Sequence, residues 1–110
     1  MSSRLPLLEG LIARGSTDPF VHYARALELR SLGRAEDALA ALDEVCARFP
    51  DYVPSYLMAG QVAIELAAYA RARALLTRGL AVAQASGDDH ASSELSSALA
   101  SLPAAGEDAD

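Results

Sequence analysis

The residues that could do chemistry in this chain are two histidines, one cysteine and several carboxylates. His22 and His90 could ligate a metal or act as general bases, and Cys46 could act as a nucleophile. The histidines lie far apart in sequence, and neither stands in a recognised metal-ligand pattern. The sequence therefore favours a packed role for His22 and an exposed position in the first turn of a helix for His90.

Cys46 and the paired carboxylates also fit structural roles. A single cysteine cannot form an internal disulfide, and Cys46 stands in an apolar helical pattern typical of a buried reduced thiol; a redox or metal role is the alternative. Pairs such as Glu36-Asp37 could do acid-base work, but they fit solvated helix faces and caps. No phosphate-binding glycine loop or nucleophile elbow is found. The sequence thus predicts no enzymatic activity, no metal and no cofactor.

Composition narrows the class of protein. With 110 residues the chain fits one domain, and its 52% hydrophobic content with only 5% aromatics indicates alanine-rich helices packed at close range. The net charge of −6 would repel a nucleic acid. Glu9 and Arg14 interrupt the only apolar run near the N-terminus, so we expect no signal peptide, no membrane span and a cytoplasmic location.

Helical periodicity and turn residues predict six helices. Pro19 and Pro54 suit first-turn positions, Gly33 and Gly87 suit helix ends, and Asp88 or Asp89 can cap the last helix. The predicted spans are about 5–13, 19–32, 35–48, 54–67, 69–85 and 88–102. They form one predicted domain, 1–103, followed by a disordered acidic tail over 104–110.

An internal repeat relates the central helices. Ala72 follows Ala38 by 34 positions and Leu76 follows Leu42 by the same interval. The same subtraction relates Gly60 to Ala26 and Tyr56 to His22. A small residue therefore recurs in each helix where two helices must touch.

This repeat resembles the tetratricopeptide repeat family. The first unit, 19–50, matches the motif at His22, Tyr23, Ala26, Leu29, Leu32, Gly33, Ala38, Leu42, Val45 and Pro50. The second unit, 53–86, matches at Tyr56, Gly60, Ala63, Tyr69, Ala72, Leu76, Gly79 and Leu80, with Gln84 in place of the closing proline. The resemblance implies an all-α solenoid of antiparallel helix pairs: a half repeat at 5–14, two full repeats, and a capping helix at 88–102.

The resemblance also implies a binding surface. In this family the first helix of each pair lines a concave groove that receives an extended or helical peptide. The corresponding positions here are Phe20, Tyr23, Leu27, Arg30, Leu57, Gln61, Ile64 and Glu65. For each of them, burial against a neighbouring helix is the alternative. One subset of the family grips a terminal carboxylate with lysine and asparagine, and that clamp is excluded because the chain contains neither residue.

Two functions follow from these patterns. The leading hypothesis is a non-enzymatic adaptor or scaffold whose apolar groove binds a protein or peptide partner. The alternative is a self-assembling structural protein, such as a homodimer, in which a second copy fills the same groove or covers an end helix.

Overall fold

Six α-helices joined by short turns make up residues 3–104, the part of the chain that this computed structural model describes. The helices are α1 (Leu5–Ala13), α2 (Pro19–Ser31), α3 (Ala35–Arg48), α4 (Pro54–Glu65), α5 (Tyr69–Ala85) and α6 (Asp89–Ala100). Each lies where the periodicity predicted it, with ends that differ by no more than two residues. Residues 105–110, most of the predicted disordered tail, lie outside the described residues.

Helix starts use the expected capping chemistry. The Asp18 carboxylate accepts a hydrogen bond of 2.9 Å from the backbone N–H of Phe20, and Pro19 occupies the first turn. At α6 the Asp88 carboxylate accepts one of 3.0 Å from the N–H of Ala91. Asp88 is therefore the cap of the last helix.

The helices pack as consecutive antiparallel neighbours. The most extensive contacts join α2 to α3 and α4 to α5. α3 also packs on α4, α1 packs on α2, and α6 packs on α5 and reaches α4. A first core cluster is centred on Leu29, Leu42 and Val62. A second core cluster consists of Cys46, Val53, Tyr56, Leu76, Ala83 and Leu95.

Small residues let the paired helices approach closely. A Cβ placed on Gly60 would lie 2.4 Å from Leu76 Cδ2, and one on Gly79 would lie 2.4 Å from Tyr56 Cβ. Ala38 and Ala72 are fully buried. The recurrence of small residues at 34-position intervals thus reflects the contact between helices.

We expect Ala38→Leu and Ala72→Leu each to lower the free energy of unfolding by about 1–3 kcal/mol, because neither site has room for three more carbons. Ala74→Leu, at an exposed position of the same helix as Ala72, is the matched control and should change little. Urea denaturation measures all three. Unchanged stability of both buried variants would show that the helix pairs have a different register.

Backbone strain distinguishes the two repeats at equivalent turns. Gly33 ends the α2/α3 turn with φ of 78°, and Ala67 occupies the same place 34 positions later with φ of 58°. Ala67 is the one described residue other than glycine with positive φ. A side chain in this left-handed region crowds the following carbonyl, so the second turn carries strain that the first avoids.

We expect Ala67→Gly to raise the free energy of unfolding by about 1 kcal/mol, since relief of the strain exceeds the entropy that glycine adds to the unfolded chain. Gly33→Ala should lower it by a similar ~1 kcal/mol, because open space surrounds Gly33 and only the backbone term changes. Thermal melts of the two variants provide reciprocal tests. A destabilised Ala67→Gly protein would contradict the assigned strain.

Candidate functional site

The chemically reactive residues occupy structural positions. His22 is buried, its Nε2 lies 2.9 Å from the Ser16 carbonyl oxygen, and its ring lies 5.3 Å from that of Phe49. His90 is exposed in the first turn of α6, where Nε2 lies 3.0 Å from the Glu94 carboxylate. Within residues 3–104, no group of three or more histidine, cysteine and acidic side chains is placed to hold a metal ion.

Cys46 is buried in the second core cluster, as its pattern predicted. Only 2% of the residue is exposed, and burial raises the pKa of its thiol to about 11, against the opposing positive charge of Arg78. The thiolate is the reactive form, so this cysteine is poorly suited to nucleophilic or redox work.

We expect the Cys46 thiol of the folded protein to resist a soluble disulfide reagent at mildly alkaline pH, and to react at once after denaturation. Folding disfavours the thiolate, so this group also makes the free energy of unfolding fall as pH rises from about 8.5 to about 11. Absorbance of the released thiol follows the reaction. Rapid labelling of the native chain would contradict the buried position.

The predicted groove residues lie on α2 and α4, and most of them are only partly covered. Those half-buried are Tyr23, Leu27, Arg30, Leu57, Gln61 and Ile64. Phe20 is 59% exposed at the start of α2, and Glu65 is exposed at the end of α4. We call these eight positions the groove face.

An ion pair joins α2 and α4 at their carboxyl ends. The Arg30 guanidinium donates to both carboxylate oxygens of Glu65, at 3.1 and 2.5 Å, and to Met58 Sδ at 3.1 Å. The hydrogen bond from Arg30 lowers the pKa of Glu65. The pair is partly exposed, so it fixes the helix ends more than it stabilises the fold.

A cavity of about 230 Å³ lies near the amino ends of α4 and α6. Of the groove face, Tyr23 and Leu57 line it, while the other six positions lie outside it. Its remaining walls are Val53, Pro54, Met58, Asp88, His90, Ala91, Glu94 and Leu95. α6 was not among the predicted groove helices. It follows the second helix of a pair, however, and so occupies a first-helix position.

Tyr23 contributes to both core and cavity. It packs against the first core cluster, and its ring meets that of Tyr52 edge-on at 5.6 Å. Burial raises the pKa of its phenol, with Arg30 opposing the shift. Leu57 similarly packs against the second core cluster while it lines the cavity. The alternative of burial against neighbours is therefore partly true for both residues.

Comparison with known proteins identifies the repeat. The tetratricopeptide repeat family model matches residues 29–102. The chain belongs to the tetratricopeptide repeat family. Tetratricopeptide repeats are generally non-catalytic modules for protein–protein interaction. No match is found among curated proteins.

Solved tetratricopeptide repeat domains have the same architecture. A Salinibacter ruber domain solved by NMR is 33% identical, with a TM-score of 0.73 over 76% of this chain and 85% of that one. A crystal structure of a tetratricopeptide repeat domain from the same organism is 34% identical, with a TM-score of 0.71 over 76% and 93%. A Bordetella parapertussis protein solved in solution, at 24% identity and a TM-score of 0.77 over 91% and 87%, shares the fold.

Within residues 3–104, no helix combines the length and hydropathy that a membrane crossing requires.

Proposed function

We propose that this protein is a non-enzymatic adaptor whose groove face, together with α6, binds a peptide or helix of a partner protein. The observation that carries the proposal is the cavity beside the groove face, where apolar side chains of α2, α4 and α6 converge. Such a concave apolar site receives an anchoring side chain, and burial of that side chain supplies binding energy.

The partial exposure of the groove face supports the same conclusion. Leu57 and Ile64 remain half-buried although both pack against the core, so each has apolar surface to offer a partner. The Arg30–Glu65 pair would mark the rim, where charged groups orient a partner and set its association rate. The cytoplasmic location inferred from the sequence stays a prediction, which fractionation of cells producing a tagged chain would test.

Selection from a displayed library of short random peptides tests this function. We expect enriched peptides to bind the full chain and to shift the amide resonances of Tyr23 and Leu57. The matched control is Ala74→Glu, on an exposed position of α5 away from the groove face, which should bind the same peptides. Peptides that bind without affecting Tyr23 and Leu57, or a library that yields none, would refute the proposed groove.

Self-assembly is the second candidate, and the exposed end of the solenoid favours it. Leu7 on α1 is 63% exposed, and Phe20 at the start of α2 is 59% exposed. A second copy could cover these side chains. Sedimentation equilibrium at low micromolar concentration separates the candidates, since an adaptor stays monomeric and a self-assembling protein does not. Leu7→Ser should restore the monomer if α1 forms the contact.

A further inference from the structure

The cavity beside the groove face is shaped for one side chain rather than for a free cofactor. Its volume of about 230 Å³ is below the roughly 300–1,000 Å³ of small-molecule sites. The cavity is several times larger than the ~30 Å³ that one water molecule occupies in the liquid. Leu57, Leu95 and Ala91 supply apolar walls. An aromatic or long aliphatic side chain fits both this size and this chemistry.

Negative charge surrounds the cavity on the α6 side. Asp88 and Glu94 are among its lining residues, and no lysine or arginine of the described chain lines it. The Asp88 carboxylate accepts one bond from the N–H of Ala91, and a Glu94 carboxylate oxygen lies 3.0 Å from Nε2 of the exposed His90. A carboxylate can accept about four hydrogen bonds, so both can receive further donors.

The acidic excess of the chain also lies in its C-terminal part. Up to Arg78, nine arginines balance nine carboxylates, whereas the six carboxylates beyond it have no arginine or lysine among them. The net charge of −6 therefore belongs to the part of the chain that contains α6. Arg30, the arginine of the groove face, is already paired with Glu65. Three of the six, Asp88, Asp89 and Glu94, lie on α6 or at its start, and α6 contains no arginine or lysine. A ligand that enters from the α6 side therefore meets an anionic field.

We propose that the cavity binds an apolar side chain that lies next to an arginine or lysine in a basic segment of the partner. The apolar group enters between Leu57 and Ala91, while the cationic group remains at the rim beside Asp88 and Glu94. This inference rests on the proposed function and specifies the chemistry of the partner. The division of charge along the chain then gives the partner its orientation, with its basic part toward α6.

A pair of small probes with opposite charge tests the cavity directly. The cation 2-phenylethylammonium and the anion 3-phenylpropionate have similar size and the same ring, and each is titrated into the ¹⁵N-labelled full chain. We expect the cation to shift the amides of Leu57, Ala91 and Leu95 with millimolar affinity, as befits so small a ligand. Its affinity should exceed that of the anion by about fivefold or more, because two carboxylates face it.

Charge-neutral variants isolate the role of Asp88 and Glu94. Asp88→Asn keeps an oxygen that can cap α6, and Glu94→Gln keeps the length of the side chain. We expect the double variant to bind both probes with nearly equal affinity and to melt as the unmodified chain does. Ser97→Asp, on an exposed turn of α6 away from the cavity, is the control and should retain the preference for the cation.

The possible results separate this inference from the proposed function. Equal affinities for the two probes in the unmodified chain, a preference for the anion, or no binding of either probe would overturn the assigned chemistry. If selected peptides still act on Tyr23 and Leu57 in that case, the adaptor function survives and only the basic partner is lost. If the peptide library also yields no binding peptide, the adaptor function and the basic partner are both refuted.

Discussion

Leu95→Ala is expected to lower the free energy of unfolding by about 2–5 kcal/mol, the cost of emptying a fully buried leucine site. Leu95 has no exposed surface, and its Cδ2 lies 3.2 Å from where a Cβ on Gly79 would stand. It therefore fastens α6 to α5 within the second core cluster. Ser96→Ala, at the exposed neighbouring position, is the control and should leave stability nearly unchanged.

Truncation of the chain tests the same contact on a larger scale. A protein that ends before Ala91 loses Leu95, Leu99 and Leu102, which uncovers Leu76 and Tyr56, and we expect it to aggregate. Removal of 104–110 should cost almost nothing, because that segment has no apolar side chain larger than alanine. Urea denaturation and gel filtration measure both effects. A soluble monomer without α6, or a loss below about 1 kcal/mol in Leu95→Ala, would show that α6 is only loosely attached.

The helices could be predicted because their signals are local. These signals are proline at helix starts, glycine at positions 33 and 87, and an apolar residue at every third or fourth position. Each of them depends only on neighbouring residues. The contact between helices could also be predicted, since small residues recur at a fixed interval. With Gln84 in place of the closing proline, α5 continues to Ala85 and has 17 residues against 14 in α3.

The geometry of the proposed binding surface could be predicted only in part, because it depends on how separate helices are rotated and spaced. Arg30 and Glu65 were each assigned to the groove face, but their pairing requires the carboxyl ends of α2 and α4 to meet. Met58 was missed because it adjoins Leu57, and periodicity does not resolve which of two adjacent residues faces a cavity. Ala91 and Leu95 follow Leu57 and Gln61 of α4 by 34 positions, so the same interval relates α6 to α4, although the subtraction was applied only to the two central pairs.

The backbone conformation of Ala67 could not be predicted, for a different reason. This turn contains no glycine, and an alanine is compatible with several turn conformations. The left-handed backbone follows from the positions of α4 and α5, since their packing is repeated from the first pair. Tertiary contacts therefore hold Ala67 in a conformation that its own preferences disfavour.

The groove face and cavity lead to the prediction with the clearest functional consequence. We expect Tyr23→Ala and Leu57→Ala each to weaken the binding of a selected peptide by about 2 kcal/mol or more, about thirtyfold in affinity. Both side chains line the cavity and are half-buried in the unbound protein, so a partner would complete their burial. Isothermal titration calorimetry measures the loss. Arg30→Ala, at the rim, should act mainly on the association rate and its dependence on salt.

Each alanine also removes contacts with the core, so the binding loss must be separated from a folding loss. Leu80 is the matched control for Leu57, because it is half-buried against the same second core cluster but lies on α5 and does not line the cavity. We expect Leu80→Ala and Leu57→Ala to lower the melting temperature to a similar extent. Only Leu57→Ala should lower the affinity for the peptide. Tyr23→Phe keeps the ring and should bind nearly as well as the unmodified chain, since apolar burial supplies most of the energy. If Leu57→Ala and Tyr23→Ala melt as early as a core truncation while their folded fraction binds the peptide normally, these residues belong to the core alone and the partner binds at another surface.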